Sequence, residues 1–438
     1  MICNNLSIRG NTLYFADRNT VELIQTYGSP VYLMDEDRIR HNCRTYVEAM
    51  RAAFGESALP LYAGKAACFK RIYEIIREEG MGADVVSIGE VYTAYLAGFP
   101  MEKTYFHSNN KTDYDIEYAI EHGVGTFVVD NEEELYAIDR IACARGIRQS
   151  VLLRLTPGID PHTYEAVATG KVDSKFGSAI ETGQAEAITR IALSLPCVRL
   201  SGFHCHVGSQ VFDSEVFLRA GEIMLEFIAD IKEKTGFAPT ELDLGGGYGV
   251  RYKESDPYID IAANIAQVAD HLRTYAAQLG IDLPAIRMEP GRSIVADAGM
   301  TLYTVGTIKK IPGYKNYVSV DGGMTDNPRY ALYGSPYTVM LANRAAEDCD
   351  FVCTVAGRCC ESGDILQENV ALPSSVSRGD TLAVLTTGAY NYAMSSNYNR
   401  IPKLPVVMLR HEDTGDGRGR DYVAVRRETP EDVTRNDI

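Results

Sequence analysis

The sequence predicts an α/β chain: a (β/α)8 barrel of the TIM type, joined to a C-terminal β-domain. Three observations predict it. Eight short β-rich runs alternate strictly with helix-length stretches over residues 36–292. Helical periodicity fades after Arg292. The residues best suited to chemistry fall at the ends of the eight runs instead of being scattered between them. Eight strands and eight helices suit the barrel at a common size for it; a doubly wound sheet is the alternative, but it seldom uses eight such regular units.

The elements follow in order. A helix over 37–54 precedes the first run, so the ring is closed by a leading helix. The strands are 58–63, 83–87, 103–108, 125–130, 150–156, 198–206, 241–244 and 285–289. Seven connections separate them, and stretches such as 132–144 and 214–234 carry apolar residues at helical spacing. Beyond the barrel, β-rich runs recur at 301–308, 317–320, 350–355 and 381–385. Two more, 406–410 and 422–426, flank the turn-rich 414–420, a hairpin signature. Residues 293–438 therefore form a β-domain of the β-sandwich or Greek-key-barrel kind. The first 35 residues, strand-like at 13–15 and broken at Pro30, join it.

Composition sets bounds on function. A chain of 438 residues with 45% apolar content can bury one large and one smaller core. Its 59 acidic against 43 basic residues give a net charge of -16, which argues against nucleic acid or an anionic membrane as partner. No basic segment followed by an apolar core opens the chain, so no signal peptide is expected. No apolar run approaches the roughly 20 residues a membrane span needs. The ten cysteines show no C-x-x-C pair, so a reducing cytoplasm without disulfides is expected.

A barrel of this type carries its active site at the C-terminal ends of its strands. Lys65 follows strand one, Asp84 lies in strand two, and Arg154 is near the end of strand five. His206 and Ser209 follow strand six, Gly245, Gly246 and Gly247 follow strand seven, and Glu289 to Arg292 follow strand eight. A lysine that closes an apolar strand is usually a solvated end residue. At a barrel mouth, partly desolvated, it loses its proton readily and forms an imine with a carbonyl group. The small neighbours Ala63, Gly64, Ala66 and Ala67 leave room for a flat ring. Three glycines after a strand make a tight turn, and they also let backbone amides crowd a phosphate. Strand alternation puts His204 and His206 on one side, which suits a metal, but no third ligand has a recognisable spacing, and no metal is expected. A histidine at a strand end can instead lie flat over an aromatic group. Glu289 sits where a carboxylate could keep a pyridine nitrogen protonated, which makes such a ring an electron sink.

Ten segments, in order, carry a resemblance: YAGKAA, GADVVSIGE, HSNNK, SKFG, HCHVGSQ, LDLGGGYG, EPGRSIVADAG, DGGMTDNPRYALY, GRCCESGD and GAYNYAMSSNYN. Together they resemble the successive motifs of diaminopimelate decarboxylases, which are fold-type III pyridoxal-phosphate enzymes. The match runs from about residue 30 to 405. The resemblance implies pyridoxal 5′-phosphate as cofactor, held covalently by Lys65 with His206 stacked on its ring and Glu289 on its pyridine nitrogen. It implies that Ser209, the Gly245–Gly247 backbone, the Gly291–Arg292 turn and Tyr390 hold the phosphate, with Asp84 and Arg154 beside the cofactor. Arg292, Arg329, Tyr333, Glu361 and Tyr390 are implied to contact substrate, and Cys360 to protonate the carbanion left by CO2 loss. In the family the Cys-Glu segment serves the partner subunit's site, so a homodimer with shared sites is implied. The chain departs from the family at Ala67, where asparagine is usual, and at Pro405, where glutamate is common.

Other basic amino acids are the competing substrates. Ornithine and arginine end in a cation, whereas diaminopimelate ends in both a carboxylate and an ammonium. Arg329 suits the first and Glu361 the second. A catalytically inactive binding relative should have lost Lys65, Glu289 or Cys360, and all three are present.

Overall fold

The computed structural model describes residues 2–159 and 175–438; Ser174, which opens the SKFG motif, lies outside them. The chain divides into two compact units: Asn42–Gly249 with Tyr258–Gly291, and Met1–His41 with Val250–Pro257 and Arg292–Ile438.

The first unit is a closed barrel. Its strands are Leu59–Ala63, Gly82–Val85, Thr104–Phe106, Thr126–Val129, Gln149–Thr156, Val198–His204, Glu241–Asp243 and Ala285–Met288. Each pairs in parallel with the next, and the eighth returns to the first through Arg287–Leu59 and Met288–Pro60. Strands buried on both faces need continuous apolar runs, not alternation; all four residues of Thr126–Val129 are buried accordingly. Leu61, Tyr105, Val128 and Leu152, from four different strands, pack into one cluster.

The connecting helices start where a side chain can satisfy free amides. Thr112 and Asp115 form a capping box, Asn131 accepts from Glu134 N, and Asp260 accepts from Ala263 N. Three glutamates, Glu132 to Glu134, fill the first turn of Glu132–Ala144, where the helix dipole favours negative charge. The expected helix at 132–144 is matched residue for residue, and the leading helix is Glu36–Phe54. A two-residue strand, Ser178–Ala179, adds to the outside of strand five without any pattern to announce it. One expectation is overturned: Cys143, near the end of the Glu132–Ala144 helix, is disulfide-bonded to Cys197, 54 residues on. The spacing carried no signal because the fold, not the local sequence, brings these two cysteines together.

The second unit is β-rich, as expected, and forms a branched nine-stranded sheet. Its hub is the 13-residue strand Gly299–Ile311, which pairs with Val31–Asp35, Lys315–Val320 and Thr381–Leu385, all antiparallel. The expected hairpin is Val406–Leu409 with Asp421–Val425. Val31–Asp35, all five residues buried, runs parallel to Val406–Leu409 across most of the chain's length, a pairing that local pattern cannot show. Pro405 immediately precedes that strand, and its carbonyl accepts from Tyr32 N at 3.1 Å. Tyr252 packs among Tyr303, Val318, Val355 and Leu382, so Val250–Pro257 shares the core of the β-rich unit. Among the described residues no helix is long and apolar enough to cross a membrane.

Candidate active site

Within the barrel unit, the strand ends gather the chemistry. Lys65 lies in the short turn Gly64–Ala66 directly after strand one. Its side chain is exposed, not desolvated, whereas Ala63, Ala66 and Ala67 are buried. The end of strand eight packs against this turn: a Cβ added to Gly291 would lie 2.9 Å from that of Ala63 and 3.2 Å from that of Ala66. At Ala67, the carbonyl accepts from Tyr62 Oη at 2.9 Å.

Glu289 is the centre of a buried cluster. His107 Nε2 lies 2.6 Å from its Oε1 and His204 Nε2 lies 3.3 Å from its Oε2. The His107 contact is within pairing distance although its angle departs from a regular hydrogen bond. Asp84 Oδ1 is 3.8 Å from the same His107 nitrogen. Burial alone would raise the Glu289 carboxyl, but the two imidazoles hold it well below the usual range, as an anion. Burial and then the Glu289 charge push the Asp243 carboxyl well above the usual range. Burial lowers His204.

The glycine loop is tied into this cluster. Gly245 N donates to Asp243 Oδ1 at 2.8 Å, and Gly246 N donates to His206 Nδ1 at 3.2 Å. A Cβ at Gly246 would stand 2.1 Å from the Glu289 carbonyl oxygen, and one at Gly247 2.5 Å from that of Gly208. Only glycine permits so close an approach of three strand ends. By accepting at Nδ1, His206 must carry its proton on Nε2. Burial, then the charges of Lys65 and Arg154, hold it neutral. Ser209, half-buried, follows on the same loop. Arg154 stands over the Phe176 ring at 4.3 Å, and the adjacent Gly177 N donates to Asp130 Oδ1 at 3.0 Å, so the described part of SKFG packs at the end of strand five.

The β-rich unit carries the other expected residues. Arg292 and Arg329 are both buried, and both guanidiniums lie over the Tyr390 ring, at 4.7 and 4.9 Å. Arg292 Nη1 donates to Tyr252 Oη at 2.7 Å, and Arg329 also lies over Tyr333, which is 42% exposed. Cys360 and Glu361 are exposed. Their loop is anchored from beneath: buried Asp364 accepts from Met324 N at 2.6 Å and from Cys359 N at 2.7 Å. Asn399 Oδ1 accepts from Cys360 N at 2.8 Å, with its backbone in the left-handed region at φ 53°.

The sequence reading missed His107, Asp243, Tyr252, Asp364 and Asn399. His107 follows strand three and opens HSNNK, so the strand-end rule that found the others could have found it. The sequence reading set His204 beside His206; the structure turns His204 to Glu289 and His206 to Gly246.

Within the barrel unit, an amine at the mouth, a buried carboxylate kept ionised and a neutral imidazole suit a cofactor-assisted reaction at an amino-acid carbon. The sequence model of the family described as pyridoxal-dependent decarboxylase, pyridoxal binding domain, matches residues 36–296. The barrel and its strand-end cluster thus define the class as a pyridoxal-dependent decarboxylase. Diaminopimelate decarboxylase of Bacillus subtilis is 42% identical over 95% of this chain and 93% of its own. That of Staphylococcus aureus is 44% identical over 92% of each. The crystal structure of the M. jannaschii diaminopimelate decarboxylase in complex with L-lysine superposes with a TM-score of 0.89 at 31% identity, covering 99% of this chain and 98% of that one. The chain belongs to the diaminopimelate decarboxylase family.

Proposed function

We infer that this protein decarboxylates meso-2,6-diaminopimelate to L-lysine and CO2, the last step of lysine biosynthesis, with pyridoxal 5′-phosphate as its cofactor. The observation that carries the reading is Glu289: a carboxylate kept anionic in a fully buried setting, beside the turn that bears Lys65, in a chain of this family. A buried anion is costly unless something cationic or protonated is meant to meet it. The residues fit the cofactor in other respects too. Lys65 presents its amine at the mouth, and the neutral His206 offers a flat face.

When bound, the cofactor supplies a protonated ring that takes up the electron pair left on Cα as CO2 departs. Lys65 Nζ is its covalent anchor. Glu289 keeps the proton on the ring nitrogen, and His206 packs on the ring. Ser209, the Gly245–Gly247 loop, the Gly291–Arg292 turn and Tyr390 hold the phosphate, with Asp84 and Arg154 flanking the group. Two of the three glycine amides already serve Asp243 and His206. The loop therefore fixes the stacking imidazole as well as receiving phosphate. Arg329 binds the distal carboxylate, Glu361 the distal ammonium, and Tyr333 and Arg292 border the substrate. Cys360 Sγ returns a proton to Cα.

The barrel, 36–292, carries the cofactor, and residues 1–35 with 293–438 complete the site and a homodimer interface, in a cytoplasmic enzyme. The exposure of Cys360, Glu361 and Tyr333 supports a site shared between two subunits, because groups that must work away from water stand open on one chain. The test is to supply pyridoxal phosphate with diaminopimelate, lysine, ornithine or arginine separately and measure CO2. Release from diaminopimelate at a rate far above the other three is expected; equal release from ornithine would overturn the substrate assignment.

A further inference from the structure

His107 and His204 have no role in the scheme above, yet they are the nearest polar neighbours of its central carboxylate. Both rings are buried, their centroids stand 4.9 Å apart at an interplanar angle of 70°, and each directs Nε2 at a different oxygen of Glu289. The proton positions follow from the surroundings. His204 Nδ1 has no hydrogen-bond partner among the described residues. A proton there would be buried and unsatisfied, so the neutral ring carries it on Nε2 and donates to Oε2. His107 Nε2 stands 2.6 Å from Oε1 without the angle of a regular hydrogen bond, close enough that a ring N–H there faces the anionic carboxylate. The groups that face this carboxylate from the other strand ends are Asp84, Arg154, Asp243 and Lys65. Two of these four are acids, and without the imidazoles the easiest relief for three clustered carboxyls would be to protonate Glu289 as well.

We propose that His107 and His204 are positioning residues that clamp Glu289, one ring N–H on each carboxylate oxygen, so that the side chain stays ionised and in a single orientation toward the cofactor's ring nitrogen. The proposal rests on the reading of Glu289 given above. It explains why two histidines are buried at this end of the barrel, where either one alone would leave the carboxylate free to rotate. A metal ion is the rival occupant, since the three side chains offer ligand atoms within 4.8 Å of one another. The 2.6 Å approach argues against it. Two donors each about 2.1 Å from one ion sit roughly 3 Å apart in tetrahedral or octahedral geometry.

The decisive variants are His107→Phe and His204→Phe, which keep ring volume and remove the donor, and His107→Gln, whose amide can restore an N–H. In the cofactor-free protein, the Glu289 carboxyl carbon followed by isotope-edited NMR should titrate at clearly higher pH in the Phe variants than in wild type. It should return toward wild type in His107→Gln. In the holoenzyme, cofactor affinity and kcat should fall about 10- to 100-fold in His107→Phe, with KM for substrate little changed, and partly recover in His107→Gln. Identical Glu289 titration in wild type and both Phe variants would overturn the clamp. So would a stoichiometric metal that is present in wild type and lost with His107→Phe. Glu289→Gln separates this from the underlying reading: if that variant keeps full activity and cofactor affinity, Glu289 is not the ring partner, whatever its titration shows.

Discussion

The barrel's strand-end cluster and the Cys360–Glu361 loop are built on opposite plans. Around Glu289 nearly every group is buried, and each partner comes from the same unit: His107, His204, Asp84 and Asp243 are all 7% exposed or less. The Cys360 loop is fixed by the buried Asp364 and by the exposed Asn399, but shows its cysteine and glutamate side chains to solvent. In the β-rich unit Arg292 and Arg329 fall between these extremes: buried, yet held mainly by tyrosine faces and not by carboxylates. The contrast teaches where preorganisation is complete. The cofactor half needs its electrostatics set before anything binds, because reorganising buried charge during reaction is costly. On the proposed reading, the exposed Cys360 and Glu361 side chains are completed by a second chain.

Breaking the barrel half should cost most. Lys65→Ala should lower turnover by about 10⁴-fold or more. Borohydride treatment should no longer trap cofactor on the protein, and an adduct on a different lysine would refute the assignment. On the exposed half, Cys360→Ala should reduce kcat about 10²- to 10³-fold, a general-acid loss, while cofactor affinity stays at the wild-type value. Turnover at the wild-type rate would make the thiol dispensable. Arg329→Ala should raise KM for diaminopimelate by about 10- to 100-fold and narrow its advantage over lysine, because lysine lacks the carboxylate that the guanidinium would pair. Comparison of kcat/KM on both substrates decides this. Beneath the loop, Asp364→Asn replaces a charged acceptor shared by two amides, and should slow kcat about tenfold while costing about 1–3 kcal/mol of stability.

The smallest effect concerns Asp326, which accepts from Tyr303 Oη at 2.5 Å and from Gly323 N at 3.0 Å. Burial pushes this carboxyl from 3.8 up to about 7. The folded chain therefore holds a proton that the unfolded chain has released, and Asp326 lowers stability progressively as pH rises from about 4 to 7. Asp326→Asn should flatten that part of the dependence, read as the difference between the wild-type and variant midpoints of thermal unfolding at pH 5 and pH 8. An unchanged slope would show that Asp326 is ionised throughout.

Much of this contrast was legible before the fold was known, and the legible parts share a cause. Barrel strands and helices are set by short-range pattern, so Glu132–Ala144 could be read directly and Lys65, His206 and Glu289 located by strand ends. What escaped depends on partners far away in the chain. Val31–Asp35 becomes a strand because Val406–Leu409 and Gly299–Ile311 receive it, and Cys143 meets Cys197 only once helix and strand are stacked. In the site, the position of Glu289 at a strand end was readable and its supports were not. His107 lies 182 residues from it, and nothing in HSNNK states which way the imidazole turns. Likewise the aspartate of CCESGD looked like part of a motif, whereas its work is to bind the amides of Met324 and Cys359.

The central claim is that one chain finishes the cofactor half while a second chain finishes the other. It is tested most directly by mixing Lys65→Ala and Cys360→Ala proteins, dissociating and reassociating them at equal concentration, and measuring CO2 from diaminopimelate. Each mixed dimer then has one site with both mutations and one with neither. Activity should rise from near zero for either parent to about a quarter of wild type, the statistical share of intact sites in a two-fold dimer. Reassociated mixed dimers that stay as inactive as the parents would contradict the account and return Lys65 and Cys360 to a single chain.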